Sequence, residues 1–192
     1  MPSLPSSSSS RKDAQQNRAQ ILDVARQAFD RQGVDVSMDA IAKLAGVGPG
    51  TLYRHFPNKG ALLAGLLVLH YDSLDQRRTE IEAAERDAGC ALEMWIKALG
   101  AWMQAYDGLP EPLRAACHLD SALTPTCNAV IETTSRILER AQAAGLARQE
   151  MTGRDIFLGA LAMAWASGTT TADEGTLNVL QQLLKNGWRA KD

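Results

Sequence analysis

The sequence has little of what usually carries catalysis or builds a sheet. Aromatic residues make up only 5% of its 192 positions, and it holds three histidines and three cysteines. Cys90, Cys117 and Cys127 cannot all pair within one chain and show no C-x-x-C spacing, which points to a reducing, cytoplasmic setting. No run approaches the roughly 18–20 consecutive apolar residues of a membrane span, so a soluble protein with no membrane partner is expected. The start lacks the basic and then apolar regions of a signal peptide, and the serine run at 6–10 is a tail that buries no core. No segment alternates apolar and polar residues, so strands are not expected.

Chemistry is thin as well. There is no nucleophile–base set, no working pair of carboxylates and no metal-ligand spacing, so neither an enzyme nor a metal or cofactor is expected. Cys117 and His118 are neighbours in sequence, but adjacent residues on a helix point about 100° apart and form no dyad.

What is present is helical. With 45% hydrophobic residues the chain can bury a core. Ile21, Ala25 and Phe29 form an i, i+4, i+8 stripe on a helix over 13–32 that ends at Gly33. Ser37 reads as the N-cap of a short helix over 38–45, stopped by Gly46. Gly48-Pro49 opens a third helix to Phe56, because proline is tolerated in a first helical turn. Asn58 can cap a long fourth helix over 59–86. Further helical patterns cover 90–106, 111–118, 125–144, 152–167 and 176–188. The reading is all-α: a tail over 1–12, a head over 13–58, and a larger helical body over 59–192.

The net charge of −2 conceals an asymmetry. Residues 1–60 hold eight basic against five acidic side chains, and the remainder twelve against seventeen. A basic head on an acidic body attracts phosphate at one end only.

Two short helices joined by Gly46-Val47-Gly48 have the spacing of a helix-turn-helix, whose second helix enters the major groove of DNA. Leu52 and Phe56 would face inward, while Thr51, Tyr53, Arg54 and His55 supply donors and Gly50 admits a phosphate close to the backbone. Arg54 could equally pair with a nearby carboxylate.

The segment Ser37-Met38-Asp39-Ala40-Ile41-Ala42-Lys43-Leu44-Ala45-Gly46-Val47, followed by Gly50-Thr51-Leu52-Tyr53-Arg54-His55-Phe56-Pro57-Asn58-Lys59, resembles the signature of the tetracycline-repressor-type (TetR) regulators. The resemblance is specific over about residues 15–65. It implies a repressor whose partners are double-stranded operator DNA, a small-molecule effector and a second copy of the chain. It also implies phosphate contacts from Ser37, Tyr53, His55 and Lys59, with Thr51 facing DNA. Where many members carry polar residues, this chain has Gly48-Pro49, so base reading falls to Thr51 and Arg54, with more left to backbone contacts and DNA shape. An activator on the same fold, and a helical ligand-binding protein with a vestigial helix-turn-helix, stay open at this point.

In the body, Trp95, Leu99, Trp102, Met103 and Tyr106 lie on one stripe. Such a stripe fits core packing, but aromatics are scarce elsewhere. The resemblance places an effector among helices four to eight, so Trp95, Leu99, Trp102, Met103, His118 and Phe157 are the expected pocket for a largely apolar or aromatic molecule. Small residues Gly159, Ala162 and Ala166, with Met163, and the stripe Leu177, Leu180 and Leu184 suit the two terminal helices to intrachain packing or to a four-helix dimer interface. The resemblance favours the interface.

Overall fold

The computed structural model describes residues 7–84, 86–116, 120–168 and 173–190. Those residues form nine helices and no strand, as an all-α reading requires. In chain order they are α1 (Ser7–Gln32), α2 (Met38–Leu44), α3 (Pro49–His55), α4 (Lys59–Ala84), α5 (Ala88–Met103), α6 (Pro110–Ala116), α7 (Thr124–Ala143), α8 (Gly153–Ser167) and α9 (Glu174–Trp188).

The expected tail is shorter than 1–12. Backbone from Ser7 already belongs to α1, because adding a residue to an existing helix gains a hydrogen bond without a new nucleation cost. Residues 1–6 lie outside the described residues, as do Cys117 and His118. The other helices lie within about three residues of their expected bounds, as fraying ends permit.

Local chemistry explains the short helices of the head. Ser37 Oγ accepts from the Ala40 amide at 3.1 Å and so caps α2. Gly46, at φ +65°, closes α2 while the Val47 amide reaches back to the Ala42 carbonyl. Gln20 Nε2 donates to the Ala45 carbonyl at 2.9 Å, which ties the end of α2 to α1. Asn58 Oδ1 caps α4 through the Ala61 amide at 2.8 Å.

One continuous apolar core runs from Ile21, Phe29, Leu52 and Phe56 in the head to Leu99, Phe157 and Trp188 in the body. Gly65 lets α4 cross close to α1, since a side chain there would meet Leu22 and Phe56 at 3.1 Å. Within the body, α5 and α8 are central: α5 packs on α4, α7 and α8, while α8 also meets α6, α7 and α9. A capping box of Thr152 and Asp155 starts α8. The end of α9 is fastened by the Arg148 amide to the Trp188 carbonyl at 2.9 Å and the Ala190 amide to the Leu146 carbonyl at 3.1 Å.

Candidate DNA-binding head and the faces of the body

Helix α3 has two distinct sides. Leu52 and Phe56 are buried, α3 packs on α2, and Arg18 of α1 is stacked over the Phe56 ring at 5.1 Å. Gly48, Pro49, Gly50, Tyr53 and Arg54 are exposed, and Thr51, His55 and Lys59 are half-buried at the edges. Neither Arg54 nor Lys59 has an ion-pair partner among the described residues, so both cations are free to meet phosphate or base. Ser37 accepts one bond from its own helix, and its hydroxyl proton remains available to a further acceptor. The short α3 starts beside open space: a side chain on Gly48 or Gly50 would meet nothing within 4 Å. Backbone can therefore approach a neighbouring surface closely there.

The expected effector residues that are described sit on the inner face of α5 and on α8, and they are packed, while His118 lies outside the described residues. Trp95, Leu99, Met103 and Phe157 are at most 1% exposed. Trp95 Nε1 donates to Thr134 Oγ1 at 3.0 Å, and Thr134 donates on to the Val130 carbonyl at 2.8 Å. Trp102 differs. It is buried, yet its Nε1 has no hydrogen-bond partner among the described residues, and an unmet buried donor costs about 1–3 kcal/mol.

The expected interface residues separate into two groups. Leu177, Leu180 and Leu184 are half-buried, and Leu184 fills the space beside Gly159, where a side chain would meet it at 2.6 Å. Gly159 and Leu184 therefore join α8 to α9 within the chain. Met163 and Ala166 are half-buried and Ala162 is exposed. The large apolar side chains left in solvent are others: Leu158 and Trp165 on α8, Val179 and Leu183 on α9, the last two about 60% exposed. These four were not among the expected residues, because α9 carries apolar residues on two sides and the stripe Leu177, Leu180 and Leu184 is the longer one.

Head and body meet at a specific joint. The Phe29 ring stands edge-on to Tyr106 at 5.8 Å, and Tyr106 stands edge-on to His70 of α4 at 5.3 Å. Tyr106 Oη and His70 Nε2 are 2.7 Å apart, with the donor set by the imidazole tautomer. Burial holds His70 below its ordinary value, opposed by Asp30 and assisted by Arg26. Burial also pushes the Tyr106 phenol up to about 12, with Asp30 adding to the rise.

Among the described residues, two concavities of the body adjoin α5 and α8. A groove of about 420 Å³ lies between α5, α8 and α9, and a second of about 340 Å³ adjoins it at Gln104 and Ser167. Of the expected effector residues that are described, Trp95, Leu99, Trp102, Met103 and Phe157, none lines either. The first groove runs along the opposite face of α5, past Ile96 and Gly100.

A buried-face α3 packed behind α2 on a helical body defines a helix-turn-helix DNA-binding transcriptional regulator. Residues 21–66 match the bacterial regulatory proteins of the tetR family, and residues 87–190 match the C-terminal domain of SbtR-like transcriptional regulators. The chain belongs to the TetR family of transcriptional regulators. A TetR transcription regulatory protein from Mycobacterium vanbaalenii is similar at 30% identity over 94% of this chain and 99% of that one, with a TM-score of 0.52. A TetR transcriptional regulator from Streptomyces coelicolor is 26% identical over 91% of this chain and 99% of the other, with a TM-score of 0.59. An HTH-type transcriptional regulator of Staphylococcus aureus (strain USA300) is 53% identical over 53 residues, 27% of this chain and 29% of that protein. The match therefore spans under a third of the curated relative's length.

Proposed function

We propose that the protein is a homodimeric repressor that binds a two-fold operator through α3 and leaves it when a small, largely apolar molecule occupies the body. The observation that carries this reading is α3 itself, with Leu52 buried and Tyr53, Arg54 and the Gly48–Gly50 backbone turned outward. Ser37, Thr51, His55 and Lys59 complete the proposed DNA surface. The division into a reading head over 13–58 and a sensing body over 59–192 is functional, because the core between them is continuous.

Two heads must reach successive major grooves, roughly 34–36 Å apart. The exposed apolar face of Leu158, Ala162, Trp165, Val179 and Leu183 supports pairing of two copies through α8 and α9. A ligand acts only by its differential affinity for two head spacings, and the continuous core is a path by which a change in the body reaches the heads. Trp102, whose buried indole N–H has no partner among the described residues, supports an interior ligand position in which an acceptor on the ligand meets Nε1.

The test is a mobility shift on DNA from the protein's own promoter region at stated salt, with a reporter on that promoter. Binding plus a rise in expression on deletion supports repression. Binding plus a fall in expression indicates an activator, and no binding at low salt removes the DNA-reading role.

A further inference from the structure

We infer that the groove between α5, α8 and α9 is a binding site for an elongated amphipathic anion, an apolar chain ending in a carboxylate. The groove lies on the side of α5 facing away from Trp95 and Trp102, so it is separate from the interior position proposed above. Its apolar walls are Ile96, Gly100, Ala160, Met163, Leu184 and Trp188, and Gln104, Ser167, Gln181 and Gln182 add uncharged polar groups to its lining. From Glu93 to Gln104 it follows α5 for about 16 Å, at a rise of 1.5 Å per residue. Its volume, about 420 Å³, falls in the range of small-molecule sites.

Charge sits at one end only. Lys185 Nζ is 2.8 Å from Glu93 Oε2, and Lys97 Nζ is 3.8 Å from Glu93 Oε1. Two ammonium groups share one carboxylate, and among the described residues Glu93 is the acidic residue lining the groove. Lys185 carries three N–H donors and is mostly covered by its surroundings. Lys97 stands in solvent. This end therefore has one positive charge left over, beside apolar walls. An anionic head with an apolar chain satisfies both features; a cation or a neutral chain satisfies only one.

Gly100 supplies a second, independent sign. It sits inside α5, where glycine weakens a helix relative to alanine. No close neighbour requires it, because a side chain there would meet nothing within 4 Å. The empty space is the groove itself, and any larger residue would project into it. The far end of the trough also leads toward function. Gln104 and Ser167 border both concavities, and the second is lined by Tyr106, Asp107 and Gly108. That turn holds the head through the Val34 amide and the Asp107 carbonyl. A chain filling the trough would press on the joint between head and body.

The site is tested by calorimetry on the full chain without DNA, using dodecanoate, dodecan-1-ol and dodecylammonium below their aggregation limits. Dodecanoate should bind at least about tenfold tighter than either analogue, as a charge-assisted contact predicts. Gly100→Leu should abolish binding while the thermal midpoint stays level or rises. Lys185→Met should remove the preference for the acid over the alcohol. Glu93→Gln, which frees both lysines, should tighten dodecanoate by up to about fivefold, a gain that loss of packing cannot mimic. Equal affinity for all three probes overturns the inference, as does a folded Gly100→Leu chain that binds as the wild type does. Absence of dodecanoate binding to the wild type also overturns it, including the case in which a second copy covers the groove. Should Gly100→Leu fail to fold, the two charge variants decide. The inference rests on the regulator reading only for its effect on DNA, which the mobility shift of the ligand-free protein tests separately.

Discussion

The amide of Val34, just past the end of α1, donates to the carbonyl of Asp107, just past the end of α5, at 2.8 Å. This bond joins the DNA-reading head to the body at a point where both chains turn through positive-φ glycines, Gly33 at +69° and Gly108 at +78°. The approach is close: a side chain on Gly33 would meet the Asp107 carbonyl oxygen at 3.0 Å, and one on Gly108 would meet Val34 at 2.8 Å.

Gly33→Ala should therefore destabilise the protein more than Gly46→Ala. Both adopt left-handed backbone, which costs an alanine roughly 1–2 kcal/mol. Gly46 has nothing within 4 Å of a new side chain, whereas Gly33 has Asp107. Denaturant midpoints of the two variants measure the difference. Equal losses would mean that the joint yields without cost.

Stability should fall as pH drops below about 6.5, in part through His70. Burial lowers its folded-state value below the ordinary 6.5, so between the two the unfolded chain binds the extra proton. By linkage, the stabilisation is full above the ordinary value and is lost as pH falls toward the depressed one. Urea midpoints at about pH 7.5 and 5.5 should separate more for the wild type than for His70→Gln. A gap of the same size in both proteins would assign the pH dependence to other groups.

Tyr53→Ala and Lys59→Ala should weaken binding to all DNA sequences alike. Each lost phosphate contact should flatten the log–log salt dependence by close to one unit. Titrations at several salt concentrations check this, and unchanged slopes in folded variants would remove both residues from the DNA surface.

Leu183→Glu should produce folded monomers, because Leu183 is about 60% exposed in the single chain. Leu184→Glu should instead loosen α9, since Leu184 packs against Gly159. Sedimentation together with helical circular dichroism distinguishes the two outcomes. A Leu183→Glu dimer as tight as the wild type would place the interface elsewhere.

Thr134→Val should cost about 1–3 kcal/mol, because it keeps the shape but removes the acceptor for Trp95 Nε1. Trp102→Phe removes a donor that had no partner among the described residues, so its loss should come from volume alone. Chemical denaturation of both compares a broken bond with an unmade one.

Much of this protein follows from the order of its residues. The helical periods, the Ser37 and Asn58 caps and the glycine after α2 are local matters. Each depends on groups within a few residues, so all were legible without a fold. The head was readable for the same reason: a helix-turn-helix is one short segment whose buried and exposed faces are set by helical spacing. The remainder depended on which faces meet. α5 has an apolar inner stripe and an outer face with Ile96 and Gly100, and only packing shows that the stripe is filled while the outer face borders a groove. Likewise, α9 has two apolar sides, and the position of α8 decides that Leu184 turns inward while Val179 and Leu183 stay in solvent. His70 and Tyr106 lie 36 positions apart, and no local period brings them together. Helical spacing determines which residues share a face, but the burial of one face rather than another is settled by the whole core at once.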